Sequence, residues 1–218
     1  MKIALIGATG FVGSAILKEA LQRRHQVKAI VRNPEKMAVN HAQLSVVKGN
    51  AMDIDQLAEL LKGNDVIISA YNAGWGNPNL YREFLQGAQN IQESVKKSGI
   101  KRFIVIGGGG SLFISPSLQI VDTPDFPEFI KPGASAARDY LNIIKNEEEL
   151  DWTYLSPAPG MHQGTSGERK GTYRTAFDTP ILDANNDPSP ISVEDVAVAL
   201  LDEVENPKHI RQRFTVAY

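Results

Sequence analysis

Apolar residues along the chain alternate between short continuous runs and stretches of helical spacing. Residues 3–6 form an apolar run ended by glycine, as is typical of a strand covered on both faces. Over residues 11–24 the apolar side chains recur at three- and four-residue intervals, which predicts an amphipathic helix. The pattern then predicts strands at 27–31, 44–48, 66–70 and 103–106, and helices after residue 53 and over about 80–98.

Alternating strands and helices indicate a parallel sheet with helices on both faces. The rhythm breaks at residues 108–133 and 157–190, which are rich in glycine and proline and have no sustained period. Between them we expect a helix over 134–150 and a strand at 152–155. Ser192 and Asp195 have capping-box spacing before a helix at 196–204, and 213–218 is predicted as a last strand. The prediction is one Rossmann-type, doubly wound α/β domain over 1–218, with a mostly parallel sheet and the two irregular segments as a small cap.

The composition limits the classes of molecule that the protein is expected to bind. The 23 basic and 25 acidic residues leave a net charge of -2, without the basic excess typical of nucleic-acid binding. No cysteine is present, which excludes disulfides and thiolate sites, and no histidine or carboxylate spacing indicates a metal. No apolar run approaches the roughly 20 residues of a membrane span, and three glycines interrupt the N-terminal run, unlike a signal peptide. We expect a cytoplasmic protein, a monomer or homodimer, that binds small molecules.

The most informative motif is Gly7-Ala8-Thr9-Gly10-Phe11-Val12-Gly13, placed where a strand ends and a helix begins. Glycines there let backbone N–H groups approach a pyrophosphate, and the helix N-terminus favours its negative charge. A tight turn alone would also use such glycines, but the strand-to-helix context favours dinucleotide binding.

This motif resembles that of the short-chain dehydrogenase/reductase superfamily, in particular its atypical single-domain NAD(P)H-binding branch. That branch includes NmrA-like sensors, biliverdin reductase B and proteins regarded as NADH-flavin reductases. Four further segments are similar to family segments in the matching order: 65–70 (DVIISA), 101–106 (KRFIVI), 151–157 (DWTYLSP) and 191–197 (ISVEDVA).

The end of the second predicted strand indicates the nucleotide. NAD enzymes place an acidic residue about 20 positions after the glycines, whereas an Arg there accommodates the 2′-phosphate of NADP. This chain has Arg32 and Asn33 at that place. NADP(H) is therefore the predicted cofactor, with NAD(H) as the alternative.

Further cofactor contacts are expected at strand ends. Ser69, Ala70 and Gly107 follow the fourth and fifth strands, where the topology places the crevice. Asp53 resembles the acid of a family turn beside the adenine, although Gln56 three residues later fits a helix cap equally well.

Typical members of the superfamily use a Ser after the fifth strand and a Tyr-x-x-x-Lys helix for proton transfer. Here Ile144, and not a lysine, stands four residues after Tyr140. Lys145 is one residue further along, which on a helix turns its side chain by roughly 100° from the position that the motif requires. Ser111 and Tyr140 remain the catalytic candidates. The alternative for Ser111 is a turn serine after flexible glycines, and the alternative for Tyr140 is packing.

Further candidate residues lie near the predicted crevice. His162 is a possible proton source, although a lone loop histidine is usually only solvated. The loop after the fourth strand brings four polar and aromatic groups to the cleft, namely Tyr71, Asn72, Trp75 and Asn77. Its glycines fit a plain surface loop equally well.

Three functions follow from these features. The leading hypothesis is an NAD(P)H-dependent oxidoreductase that reduces a planar acceptor such as a flavin or quinone, because such a reaction needs little acid–base chemistry from the protein. A non-catalytic NADP(H)-binding sensor and an epimerase or dehydratase are the alternatives.

Overall fold

The computed structural model describes residues 1–218 and contains one eight-stranded sheet with five α-helices. The strands are β1 (Lys2–Ile6), β2 (Gln26–Val31), β3 (Leu44–Lys48), β4 (Val66–Ser69), β5 (Arg102–Ile106), β6 (Phe113–Ser115), β7 (Leu118–Gln119), β8 (Asp151–Pro157), β9 (Arg174–Ala176) and β10 (Gln212–Ala217). The helices are α1 (Phe11–Gln22), α2 (Ile54–Leu61), α3 (Leu80–Ser98), α4 (Lys131–Ile144) and α5 (Val193–Glu205).

The order of the sheet is β3-β2-β1-β4-β5-β8-β10-β9, and every pairing in it is parallel except that of β9 with β10. The chain first moves outward from β1 to β3 and then returns to build the other half from β4. The order therefore reverses between β1 and β4, which is where dinucleotides bind in such sheets. The predicted Rossmann-type fold is confirmed.

Strand β1 is covered on both faces, as its continuous apolar run predicts. Ile3 and Leu5 pack in a core with α1 and α5, whereas Ala4 and Ile6 pack in a second core with α2, α3 and α4. Alternate residues of a strand point to opposite faces, so this split is what a central strand requires. None of the helices is long and apolar enough to cross a membrane.

Several predicted boundaries were wrong. The helix expected over 134–150 ends at Ile144, and the chain turns before β8. Both segments expected to be irregular contain short ordered elements. The first holds the β6–β7 hairpin, and the second holds the antiparallel strand β9.

Candidate functional site

The turn between β1 and α1 has no room for side chains at two of its glycines. Gly7 adopts the left-handed conformation, with φ +85°, and a Cβ there would lie 2.5 Å from the carbonyl oxygen of Ala70. A Cβ on Gly13 would lie 2.1 Å from the carbonyl oxygen of Gly7. The first turn of α1 therefore packs directly against the end of β1, and the glycine turn lies against the chain after β4.

The N-terminus of α1 is not capped by the protein. Gly10 is the N-cap residue, no side chain accepts a hydrogen bond from the helix there, and the first turn contains no acidic residue. Thr9 and Gly10 are exposed, and Phe11 and Val12 are half-buried. Uncapped N–H groups and the positive end of the helix dipole favour an anion, so this cradle fits a pyrophosphate.

Arg32 and Asn33 are exposed directly after β2. The charge of Arg32 acts on the far side of the glycine turn, at the phenol of Tyr71 after β4. Burial, the larger effect, raises the pKa of Tyr71 above its ordinary value, and Arg32 opposes this increase.

A cavity of about 880 Å³ begins at the glycine turn and follows the outer face of α1. Thr9 and Phe11 line it, together with Lys36 on one wall and Arg169 on another. Lys36 comes four residues after Arg32, is exposed, and lines the same cavity as Thr9. The sequence analysis did not single out Lys36.

The other predicted cofactor residues occupy two kinds of position. Ser69 is buried at the end of β4, the N–H of Ala70 donates to the carbonyl oxygen of Ile6 at 3.0 Å, and Gly107 directly follows β5. These three lie along the carboxyl edge of the sheet. Asp53 instead caps α2, because its Oδ1 accepts from the N–H of Gln56 at 3.0 Å.

Ser111 is completely buried, with 0% of its surface exposed. Its hydroxyl donates to the carbonyl oxygen of Gly108 at 2.9 Å and lies 3.2 Å from the hydroxyl of Ser156. Nη1 of Arg213 donates to the same hydroxyl at 3.3 Å. The structure therefore argues against the predicted catalytic role of Ser111, since its hydroxyl is enclosed and already bonded.

Tyr140 is also a core residue, with 1% of its surface exposed. Its hydroxyl donates to Oε1 of Gln92 at 3.1 Å, and burial raises its pKa well above the ordinary value. Ile144, at the place of the missing lysine, is buried, and Lys145 is exposed at the end of α4. A phenol held protonated in the core does not exchange protons with a substrate, so the structure argues against a catalytic role for Tyr140 as well.

Residues 7–207 match the model of the NAD(P)H-binding family. The chain belongs to this family.

Three relatives support the assignment. Over 218 aligned residues the chain is 37% identical to the uncharacterised protein YwnB of Bacillus subtilis, covering 99% of this chain and 98% of YwnB. A solved structure from Bacteroides thetaiotaomicron, described as a candidate epimerase, is 45% identical with a TM-score of 0.90 and coverage of 100% and 96%. A candidate NADH-flavin reductase from Streptococcus pneumoniae is 34% identical with a TM-score of 0.86 and coverage of 100% and 99%. The resemblance to the atypical short-chain dehydrogenase/reductase branch is confirmed.

In this NAD(P)H-binding protein the loop between β4 and α3 is ordered by its own asparagines. Oδ1 of Asn72 accepts from the N–H of Gly74 at 2.7 Å, and Nδ2 of Asn77 donates to Oε2 of Glu83 at 2.7 Å. The hydroxyl of Tyr71 donates to the carbonyl oxygen of Glu83 at 3.1 Å. These groups therefore stabilise the loop, whereas the indole of Trp75 is exposed.

His162 lies on the surface of the second cap segment. Its Nδ1 accepts from the N–H of Gly164 at 2.9 Å, which closes a short turn. The ring therefore has a local structural role.

The two cap segments are joined through the last strand of the sheet. Arg213 of β10 is 4% exposed and forms an ion pair with Asp178, with Nε and Oδ1 2.9 Å apart. The same guanidinium donates to the carbonyl oxygen of Ser111 at 3.3 Å, and the N–H of Phe113 donates to the carbonyl oxygen of Asp178 at 2.8 Å. The cap is therefore fixed to the sheet on this side.

Asp195 fixes the second cap segment to α5. Its fully buried carboxylate accepts from the N–H groups of Lys170 at 2.9 Å and Gly171 at 2.8 Å, and from the hydroxyl of Tyr218 at 2.6 Å. Burial alone would raise the pKa of Asp195, but these hydrogen bonds and one from Ser192 outweigh it and hold the pKa below its usual value. The capping-box spacing predicted the start of the helix, but it did not predict that Asp195 holds the second cap segment.

Proposed function

We propose that this protein is an NADPH-dependent reductase of a planar acceptor such as a flavin or a quinone. The observation that carries the proposal is the combination of a dinucleotide cradle with the burial of the serine and tyrosine hydroxyls that typical members of the superfamily use for proton transfer. The hydroxyls of Ser111, Tyr140 and Tyr154 are all buried and hydrogen-bonded. A planar acceptor suits such a site, because its reduction requires orientation of two rings more than proton transfer by the protein.

The chemistry balances without a side-chain catalyst. The reduced nicotinamide supplies one hydride, and solvent supplies one proton, which together convert an oxidised flavin to a dihydroflavin or a quinone to a hydroquinone. The chain holds the dinucleotide at the glycine turn and α1 and leaves proton delivery to water. The candidate NADH-flavin reductase at 34% identity favours the same class of acceptor.

Two cations support NADPH over NADH. Arg32 is exposed directly after β2, and Lys36 lines the cavity that begins at Thr9. A guanidinium can bind a phosphate with two parallel N–H···O bonds, and a lysine adds a point charge. The 2′-phosphate would find both groups beside the adenine ribose.

Calorimetric titration with NADPH and NADH tests the cofactor preference. Arg32→Ala and Lys36→Ala should each weaken NADPH binding by about 10-fold or more, because each removes a charge-assisted contact, and should leave NADH binding nearly unchanged. Arg82→Ala, which removes an exposed arginine from α3, is the matched control. Equal affinity for the two nucleotides, unaffected by either substitution, would show that the preference is wrong.

A second experiment tests catalysis. Purified protein is mixed with NADPH and a panel of FMN, riboflavin and quinones, and nicotinamide absorbance is followed. Saturable oxidation of NADPH supports a reductase. Tight NADPH binding without turnover of any acceptor would instead identify a non-catalytic sensor, and interconversion of a sugar nucleotide without net oxidation would identify an epimerase.

A further inference from the structure

Trp75 is the more unusual of the two tryptophans. Its surface is 61% exposed, whereas Trp152 is 2% exposed in the core. An indole offers a large flat apolar surface, and proteins commonly use such surfaces at binding sites.

The exposed indole is supported from one side by a glycine. A Cβ on Gly133 would lie 2.7 Å from Cζ3 and 3.1 Å from Cη2 of Trp75, and 3.1 Å from Cδ2 of Leu80. Gly133 belongs to the first turn of α4. Only a residue without a side chain lets the six-membered ring of the indole lie directly on this helix.

The loop that carries Trp75 is also fixed at both ends. Oδ1 of Asn72 accepts from Gly74 on one side of the indole, and Asn77 is bonded to Glu83 and, at 2.9 Å, to the N–H of Asn79 on the other. Such a loop presents the ring in a defined orientation and reduces the entropy lost when a ligand stacks on it.

This platform lies at the same edge of the sheet as the dinucleotide cradle. The loop directly follows β4, whose end lies against Gly7. The start of α4 packs beside the turn after β5, because a Cβ on Gly110 would lie 3.3 Å from Cβ of Ala134. Trp75 therefore lies between the loop after β4 and the first turn of α4, at the edge of the sheet that carries the cradle.

We propose that the exposed face of Trp75, held in place by Gly133, is the surface on which the planar acceptor stacks. This inference rests on the proposed reductase function and specifies its acceptor site. The ligand class is a flat conjugated ring system, of which the isoalloxazine of a flavin is the best fit, since offset stacking rewards two extended aromatic planes. Oδ1 of Asn72 and the side chain of Asn77 are already bonded within the loop, so stacking is the main contribution at this surface.

The two tryptophans make the test direct. Trp152→Phe leaves Trp75 as the only source of indole fluorescence, and titration of that protein with riboflavin should quench the emission in a saturable manner. Equilibrium dialysis with riboflavin gives the same affinity without optical interference. Trp75→Phe should retain most of the binding, whereas Trp75→Ala should weaken it by about 10-fold or more.

Gly133→Ala tests the support of the ring. The added methyl group displaces the indole, so riboflavin affinity should fall while NADPH affinity remains at the wild-type value. Alanine is a better helix former than glycine, so loss of α4 would not account for the effect. Should Gly133→Ala fail to fold, the comparison of Trp75→Ala with Trp75→Phe still decides the matter.

The inference and the proposed function fail in different ways. If NADPH oxidation by riboflavin proceeds in Trp75→Ala with unchanged KM and unchanged riboflavin affinity, the stacking site is wrong and the reductase stands. If riboflavin quenches Trp75 saturably but no acceptor is turned over by the wild-type protein, the site for a planar ligand stands and the reductase is wrong.

Discussion

The carbonyl oxygen of Gly7 lies 2.1 Å from the place that a Cβ on Gly13 would occupy. Gly13→Ala should therefore push α1 away from the end of β1. We expect a loss of about 1–3 kcal/mol in the free energy of unfolding, as for other overpacked sites, together with weaker NADPH binding. Urea unfolding and calorimetry measure the two effects.

Gly76→Ala is the matched control for this prediction, because a Cβ on Gly76 meets no heavy atom within 4 Å. Equal NADPH affinity in the Gly13 variant, the Gly76 variant and the wild type would remove the glycine turn from the cofactor site.

The ion pair between Arg213 and Asp178 should respond unequally to the loss of its two members. The side chain of Arg213 is 1% exposed and that of Asp178 is 60% exposed. Asp178→Ala leaves a buried guanidinium without its counter-ion and should cost about 3 kcal/mol, whereas Arg213→Met leaves a carboxylate that water can solvate and should cost about 1–2 kcal/mol. Urea unfolding of both variants and of the double variant gives the coupling, and the reverse order of effects would contradict this account.

The buried Asp195 predicts a specific loss of stability in acid. Because its folded pKa lies below the unfolded value of about 3.9, its contribution is complete above that pH and disappears as pH falls through the folded pKa. Asp195→Asn should be less stable than the wild type near neutral pH, and the difference should shrink below about pH 4. Urea midpoints over this pH range test the prediction, and a constant difference would show that the carboxylate charge is not responsible.

Tyr140→Phe separates packing from catalysis. The substitution removes one hydrogen bond to Gln92 and should lower the free energy of unfolding by about 1 kcal/mol. The kcat of NADPH oxidation with a flavin acceptor should stay at the wild-type value. A large fall in kcat at unchanged KM would restore Tyr140 as a catalytic residue.

The glycine turn and its place at the edge of the sheet could be predicted because their determinants are local. Gly7 and Gly13 lie within one turn, and the ends of β1 and β4 are brought together by a topology that the alternation of strands and helices already implies. Arg32 required only its distance from those glycines. Each of these inferences depends on spacing along the chain and on a general property of parallel sheets.

The burial of the two catalytic candidates could not be predicted, for a different reason. The positions of Ser111 and Tyr140 along the chain match the superfamily pattern, but their burial depends on partners far away in sequence, such as Arg213 and Gln92. The end of α4 was also misjudged: the helix ends at Ile144, and Glu147 in the following turn accepts from Nε2 of Gln92 at 2.8 Å, a contact that no helical pattern reveals.

Strand β9 has a consequence for the behaviour of the protein at high concentration. It consists of only three residues, runs antiparallel to its neighbour and closes one side of the sheet. Its first residue, Arg174, is exposed and donates hydrogen bonds to the carbonyl oxygens of Leu182 and Tyr218. Because this edge strand is short and begins with a charged residue, it offers another copy of the protein little backbone to pair with. This discourages growth of the sheet at this edge, from molecule to molecule, into fibrils.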